Sequence, residues 1–179
     1  MTKDELRHWA LARRQSFSPQ QRTVWSRHIA ERLCALPEIV KTASVLCYLT
    51  HDTEVDTRPC LETLWRQKIC VLVPTKRMTI APLTSWQDTH RTADGWLLPR
   101  TQSRIRERVP LVSITPALLL SHHGERIGSG RGLYDRFYAS HPETYRIGIV
   151  FDALLFPTLP QEPHDIRMHT VVTNERVIH

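Results

Sequence analysis

Apolar positions recur at helical spacing early in the chain and then give way to short, unbroken apolar runs. Leu6, Trp9, Ala10 and Leu11 fall at helical spacing, and Thr2 with Glu5 three residues on makes a capping box. A helix therefore starts at residue 2. Ser16-Phe17-Ser18-Pro19 interrupts it, and Ser18 as cap with Pro19 at the first helical position opens a second helix. That helix carries Val24, Ile29, Ala30 and Leu33 and stops near Pro37. Residues 43–49 (ASVLCYL) and 69–73 (ICVLV) are continuous apolar runs of the kind a strand shows when both faces are covered. Between them, residues 57–67 place Leu61, Leu64 and Trp65 on one helical face. Strand, helix and strand at these lengths predict a parallel βαβ unit with a right-handed crossover. Residues 78–86 suit an edge strand or hairpin, and 87–110 read as a long polar connection. Residues 112–120 form a strand interrupted at Pro116, a helix runs from near Gly132 to about His141, and residues 146–151 and 170–173 are strands. Residues 157–165 are a proline-rich loop. The fold class is α/β, a three-layer arrangement around a largely parallel, mixed sheet in a single domain covering residues 1–179.

The bulk properties narrow the partners. With 179 residues the chain is long enough for a sizeable core, and 41% hydrophobic with 23% charged residues is a globular balance. No apolar run reaches bilayer length, and MTKDELRHWALARR lacks the apolar centre of a secretory signal, which predicts no membrane partner and a cytoplasmic location. A formal net charge of +6 favours anionic partners without choosing among phosphates, carboxylates and nucleic acid. The four cysteines, Cys34, Cys47, Cys60 and Cys70, have no zinc-type spacing. Cys47 and Cys70 sit in the apolar runs and read as small buried hydrophobes with reduced thiols.

One segment stands apart. ERIGSGRGLYDRFYA, residues 125–139, holds Gly128, Gly130 and Gly132, half of the six glycines in the chain. Glycines between a buried strand and a helix let another molecule approach the main chain, whose N–H groups and helix N-terminus favour an anion. Arg126, Arg131 and Arg136 would add charge-assisted bonds to phosphate oxygens. The segment fits neither the P-loop nor the dinucleotide fingerprint. On its residues alone it is either an anion loop or a tight connector without a ligand, and Asp135 is either a first-turn helix charge or a metal ligand.

Arg126-Ile-Gly-Ser-Gly-Arg-Gly-Leu-Tyr-Asp135 resembles the RLGxGxGYYD signature of the 5-formyltetrahydrofolate cyclo-ligase family. Three further segments resemble that family in the same order: Lys3-Asp-Glu-Leu-Arg7, Tyr48-Leu-Thr-His-Asp-Thr-Glu54-Val-Asp56-Thr57 and Glu162-Pro-His-Asp165. The resemblance implies an enzyme that uses ATP and Mg²⁺ to convert 5-formyltetrahydrofolate into 5,10-methenyltetrahydrofolate, releasing ADP and phosphate. It implies that Lys3 and Arg7, one helical turn apart, reach the nucleotide phosphates. It assigns Arg126, Ile127, Gly128, Ser129, Gly130, Arg131, Gly132, Leu133 and Tyr134 to the ATP loop, with Arg131 and Tyr134 as catalytic residues. Asp135 and Asp165 match the positions that hold Mg²⁺, and His51, Glu54 and Asp56 stand where the folate binds. Arg100, Arg104, Arg106 and Arg108 form a basic cluster that suits either a folate glutamate tail or a solvated face. A monomer is expected.

The chain departs from the family pattern at Leu133, where an aromatic usually stands, at Leu98 in place of a glutamate, and at Ser121 after Leu120. An acidic residue usual at the start of the preceding strand is also absent, with Leu111 and Val112 in that region. A divergent paralogue that binds folate or nucleotide with weak or no turnover is the alternative reading. A nucleic-acid-binding protein is the third, disfavoured because no helix-turn-helix, RNA-recognition or zinc pattern accompanies the charge.

Overall fold

The computed structural model describes residues 1–75, 79–100 and 111–179. Helix α1 (Lys3–Gln15) opens on the predicted box: Thr2 Oγ1 accepts from the Glu5 N–H at 3.2 Å, and Glu5 Oε2 accepts from the Thr2 N–H at 2.8 Å. Helix α2 (Pro19–Ala35) opens in the same way on Ser18 and Gln21, with Pro19 at its start. Leu6, Ala10, Ile29, Ala30 and Leu33 enter the core, whereas Trp9, Leu11 and Val24 stay exposed at the margins of their helices. A one-turn helix α3 (Pro37–Val40) leads into β1 (Ser44–Cys47), all four residues of which are buried. Helix α4 (Arg58–Arg66) and strand β2 (Cys70–Pro74) follow, and β2 pairs in parallel with β1 as the βαβ pattern requires. Cys47 is buried as expected, but Cys70 is exposed, because it is the first residue of β2 and lies at the solvated start of the strand.

Strand β3 (Ile80–Pro82) is an antiparallel edge on β2. The expected long connection is not structureless over its described part: β4 (Thr89–Arg91) and β5 (Leu97–Pro99) form an antiparallel ribbon. Its strands are three residues long and carry exposed His90 and Arg91, so no alternation marks them in the sequence. The expected strand over 112–120 divides in two at Pro116. Its first part is β6 (Val112–Pro116); its second, β7 (Leu119–Ser121), leaves the main sheet to pair antiparallel with β8 (Arg126–Ile127). The remaining elements are α5 (Leu133–Ser140), β9 (Tyr145–Ile149), β10 (Leu155–Phe156), β11 (Thr170–Val172) and β12 (Val177–Ile178). Strand β10 joins β7 and β8 in a small three-stranded sheet.

The main sheet runs β12-β11-β9-β6-β1-β2-β3, parallel inside and antiparallel at both edges. The chain steps outward from β1 to β2 in one direction and from β6 to β9 in the other. Right-handed crossovers then place α4 and α5 on opposite faces, giving the three layers. The small sheet lies close on β9: a Cβ at Gly148 would stand 2.8 Å from both Leu120 Cδ1 and Met168 Cγ. Neighbouring strands β1 and β6 are where the winding reverses, and the crevice beyond their carboxyl ends is the place such sheets offer a ligand. Among the described residues, no helix is long and apolar enough to cross a membrane.

Candidate active site

A cavity of about 860 Å³ opens at that reversal, and residues following β1, β2 and β6 line it. Ligand sites for small molecules commonly have about this size, roughly 300–1,000 Å³. One wall is the loop after β1. Tyr48 Oη donates to Val55 O at 3.0 Å, Thr57 Oγ1 donates to Tyr48 O at 2.9 Å, and the Thr57 N–H donates to Thr50 Oγ1 at 2.8 Å. These bonds fold residues 48–57 back on themselves and turn Glu54 into the cavity. The His51 N–H donates to Glu54 Oε2 at 3.1 Å. Burial pushes the Glu54 carboxyl above its ordinary range, and the His51 N–H and the Arg14 guanidinium act against that push. The His51 ring stacks on Trp96 from the β4–β5 ribbon, with centroids 3.8 Å apart and planes 11° from parallel. Asp56 does not join this group. It is absent from the cavity lining, and its carboxylate grips Arg58 at 2.8–3.0 Å.

The opposite wall is the glycine segment with the start of α1. Gly130 and Gly132 have φ of +88° and +59°, left-handed values that a side chain would strain, and Gly132 caps α5. Gly128 meets a different need, since a Cβ there would come within 2.5 Å of Arg126 Nη1. Arg7 Nε donates to Gly128 O at 3.1 Å, so α1 braces the loop. Arg126 is nearly buried, bonds Asp135 Oδ2 through Nη2 at 2.8 Å, and lies with its guanidinium carbon 5.7 Å from the Tyr134 ring centre. Its Nε is buried without a hydrogen-bond partner among the described residues. Burial holds the Tyr134 hydroxyl well above its ordinary range. Ser129 and Arg131 are exposed on the loop and line the cavity, as does Leu133.

The acidic pair comes from two elements. Asp135 Oδ1 accepts from the Ile166 N–H at 3.3 Å, which sets it beside Asp165. Asp165 is ion-paired with Lys3 and accepts from the Glu162 N–H at 2.6 Å. Burial opposes its ionisation, but the Lys3 ammonium and the Glu162 N–H outweigh that and hold the carboxyl below its usual range. Among the described residues there is no group of three His, Cys, Asp or Glu side chains suited to a metal. Two adjacent carboxylates at the edge of the glycine loop nevertheless fit Mg²⁺, which takes one or two carboxylates and fills its octahedron with phosphate oxygens and water.

Glu125 ties these parts together. It is buried, and its carboxylate accepts from the Leu159 N–H at 2.7 Å, Thr158 Oγ1 at 3.2 Å and Arg167 Nη2 at 3.1 Å. The Met168 N–H also donates to Gly124 O at 2.8 Å. The loop carrying Asp165 is thus anchored to the β7–β8 turn, one residue ahead of Arg126. Of the departures from the family pattern, Leu98 and Leu133 line the cavity, whereas Ser121 does not: its Oγ accepts from the His123 and Glu125 N–H groups within the turn. Arg100 is exposed on Gln87 O, away from the cavity, and Arg104, Arg106 and Arg108 lie outside the described residues.

The sequence profile of the 5-formyltetrahydrofolate cyclo-ligase family matches residues 1–174. The chain belongs to that family. It is 30% identical over 175 residues to the 5-formyltetrahydrofolate cyclo-ligase of Escherichia coli K12, covering 92% of this chain and 96% of that one. The cyclo-ligase of Mus musculus is 22% identical over 181 residues, covering 89% and 87% of the two chains. The 5,10-methenyltetrahydrofolate synthetase of Aquifex aeolicus superposes with a TM-score of 0.86 at 26% identity, over 99% of this chain and 92% of its own. A synthetase of the same name from Mycoplasma pneumoniae shares the fold, with a TM-score of 0.72 at 18% identity, over 97% and 99% of the chains. The expectations of a cyclo-ligase-type enzyme and of the α/β fold are both met.

Within this cyclo-ligase-family cavity, three residues carry geometry that the sequence pattern did not disclose. Arg14 is buried and lines the cavity, and its Nε donates to Thr53 Oγ1 at 2.9 Å, next to Glu54. It lies in the last turn of α1, where a basic residue is ordinary and carries no signal of a site. Trp96 sits in a run read as a polar connection, although a tryptophan between glycine and leucine was the available signal. Glu125 is the first residue of the glycine segment, and nothing in the local sequence marks it as buried.

Proposed function

We propose that the protein catalyses ATP- and Mg²⁺-dependent closure of 5-formyltetrahydrofolate to 5,10-methenyltetrahydrofolate, releasing ADP and phosphate. The observation that carries this reading is one cavity bordered on one side by the glycine loop with Lys3, Arg7, Asp135 and Asp165, and on the other by Glu54 with the His51–Trp96 stack. A two-substrate reaction needs both halves within one space.

The formyl group on N5 is an amide, and resonance leaves its carbon a poor target for N10. Attack of the formyl oxygen on the γ-phosphorus of ATP expels ADP and leaves an iminium phosphate. N10 then adds to the activated carbon, loses its proton, and phosphate departs with the C–O bond. The protein's part is to position both substrates and to balance charge on the transferring phosphoryl. Lys3, Arg7 and Arg131 take phosphate oxygens, and main-chain N–H groups of residues 128–132 complete the cradle. Arg126, with its free Nε, supports Tyr134 and the loop. Asp135 and Asp165 would hold Mg²⁺, which when bound neutralises phosphate charge. In that complex Lys3 turns from Asp165 to the nucleotide. Glu54 accepts from the paired N–H donors of the pterin, and the His51–Trp96 stack offers a flat apolar face to its ring. Asp56, paired with Arg58, contributes from outside the cavity by fixing the start of α4.

The pH dependence follows from Glu54. Its carboxyl lies above the ordinary range, so as pH falls the charged form is lost earlier than for a carboxylate titrating near ~4.3. KM for the folate is expected to rise on acidification, with a midpoint above that value, while KM for ATP does not follow the same curve. Parallel changes in both KM values, or a midpoint at or below it, would remove Glu54 from the pterin contact.

Leu98 and Leu133 at the cavity wall favour a second reading, a protein that holds folate or nucleotide without converting it. Measuring ADP release with and without 5-formyltetrahydrofolate separates the two. The cyclo-ligase reading expects folate-dependent ADP; tight binding of both ligands by calorimetry without ADP would favour the binder.

A further inference from the structure

Cys34, one residue from the end of α2, and Cys60, in the first turn of α4, bring their Sγ atoms to 3.7 Å of each other. Cys34 is partly exposed, while Cys60 is 1% exposed. Neither borders the cavity. We propose that Cys34 and Cys60 form a peroxide-sensitive dithiol whose oxidised state is a disulfide joining α2 to α4.

The two thiols are unequal in the way a reacting and a resolving cysteine must be. The hydrogen bond with Cys60 lowers the Cys34 thiol from its ordinary value; burial works against this, and Thr63 and the Arg66 guanidinium add to it. The same bond and nearly complete burial push the Cys60 thiol up. A thiol of lowered pKa that solvent can reach, with a less acidic thiol in contact behind it, is the arrangement that oxidises selectively.

The chemistry balances with hydrogen peroxide as oxidant. The Cys34 thiolate attacks one peroxide oxygen, an S–O bond forms, the O–O bond breaks, and hydroxide leaves. Cys60 sulfur then attacks Cys34 sulfur and gives up its proton. The S–S bond forms, the S–O bond breaks, and the departing hydroxide takes a proton to leave as water. The sulfur pair is oxidised by two electrons and one peroxide is reduced to two waters. The gap of 3.7 Å must close to about 2.05 Å. That draws α4 toward α2 directly behind the Glu54 loop, where the Asp56 N–H already bonds Ser26 Oγ of α2 at 2.9 Å.

Cys70 is exposed on β2 and serves as an internal reference. Reduced protein is treated with limiting hydrogen peroxide, blocked, and mapped by peptide mass without reductant. The expected result is a Cys34–Cys60 peptide pair lighter by two hydrogens, reversed by dithiothreitol, with Cys34 consumed about tenfold faster than Cys70. The Cys60→Ser protein should stop at a Cys34 sulfenic acid that dimedone captures, and Cys34→Ser should leave Cys60 unreacted. Equal loss of Cys34 and Cys70, linkage only between molecules, or sulfinic acid at Cys34 in the unsubstituted protein would overturn the proposal. None of these readouts depends on folate or ATP, so the outcome is independent of the proposed reaction.

Discussion

Asp135→Asn is expected to lower kcat by about 10²–10³-fold, the scale of losing one well-placed electrostatic contact to a transition state. Asp135 is one of two carboxylates that the Ile166 N–H and the anchored 157–168 loop bring together at the edge of the glycine segment. Asparagine keeps the shape but gives up the charge with which Asp135 would help to hold Mg²⁺. The same substitution also removes the ion-pair partner of nearly buried Arg126, and breaking a buried pair destabilises by leaving one charge alone. Asp165→Asn leaves Arg126 and Asp135 paired while removing the other carboxylate, although it breaks the comparably buried Asp165–Lys3 pair. Both variants should melt earlier, and both should need more Mg²⁺ for half-maximal rate, which loss of an ion pair alone would not cause. A kcat unchanged in both, with the Mg²⁺ requirement unmoved, would take the metal away from this pair.

Glu54→Gln is expected to raise KM for 5-formyltetrahydrofolate by about 10–100-fold, leaving KM for ATP within about twofold. Glutamine turns an N–H donor toward the donors of the pterin and removes the charge that made those bonds strong. Stability should move the other way. Burial penalises the ionised carboxylate, as its raised proton affinity records, so a neutral isostere relieves that penalty and the melting temperature should hold or rise. A variant that loses folate affinity only in proportion to a loss of fold would mark Glu54 as structural.

The legible parts of this protein were those written in local pattern. Thr2 with Glu5 and Ser18 with Pro19 marked where both N-terminal helices are capped, and the unbroken runs around Val45 and Leu72 announced a parallel sheet covered on both sides. The glycine segment was legible as a loop that could take an anion, and Gly130 and Gly132 do adopt the left-handed backbone that only glycine accepts freely. What escaped was fixed by contacts between distant segments. Leu119 and Leu120 are as apolar as β6, and only their pairing with Ile127 and Arg126 carries them into a second sheet. The β4–β5 ribbon is too short to show a period. Arg14 and Glu125 are ordinary charged letters until folding buries each beside a partner some forty positions away, Thr53 and Arg167. Asp56 shows the same limit from the other side: it sits two residues from Glu54, yet its carboxylate pairs with Arg58 and does not line the cavity.

A cyclo-ligase with both substrates in one cavity must couple ring closure to ATP cleavage. Purified protein is mixed with 5-formyltetrahydrofolate, ATP and Mg²⁺, and the methenyl chromophore and ADP are followed together. The expected result is chromophore and ADP formed in equal amounts, neither appearing when ATP or the folate is left out. Folded protein that yields no chromophore, or ADP without chromophore, would contradict it.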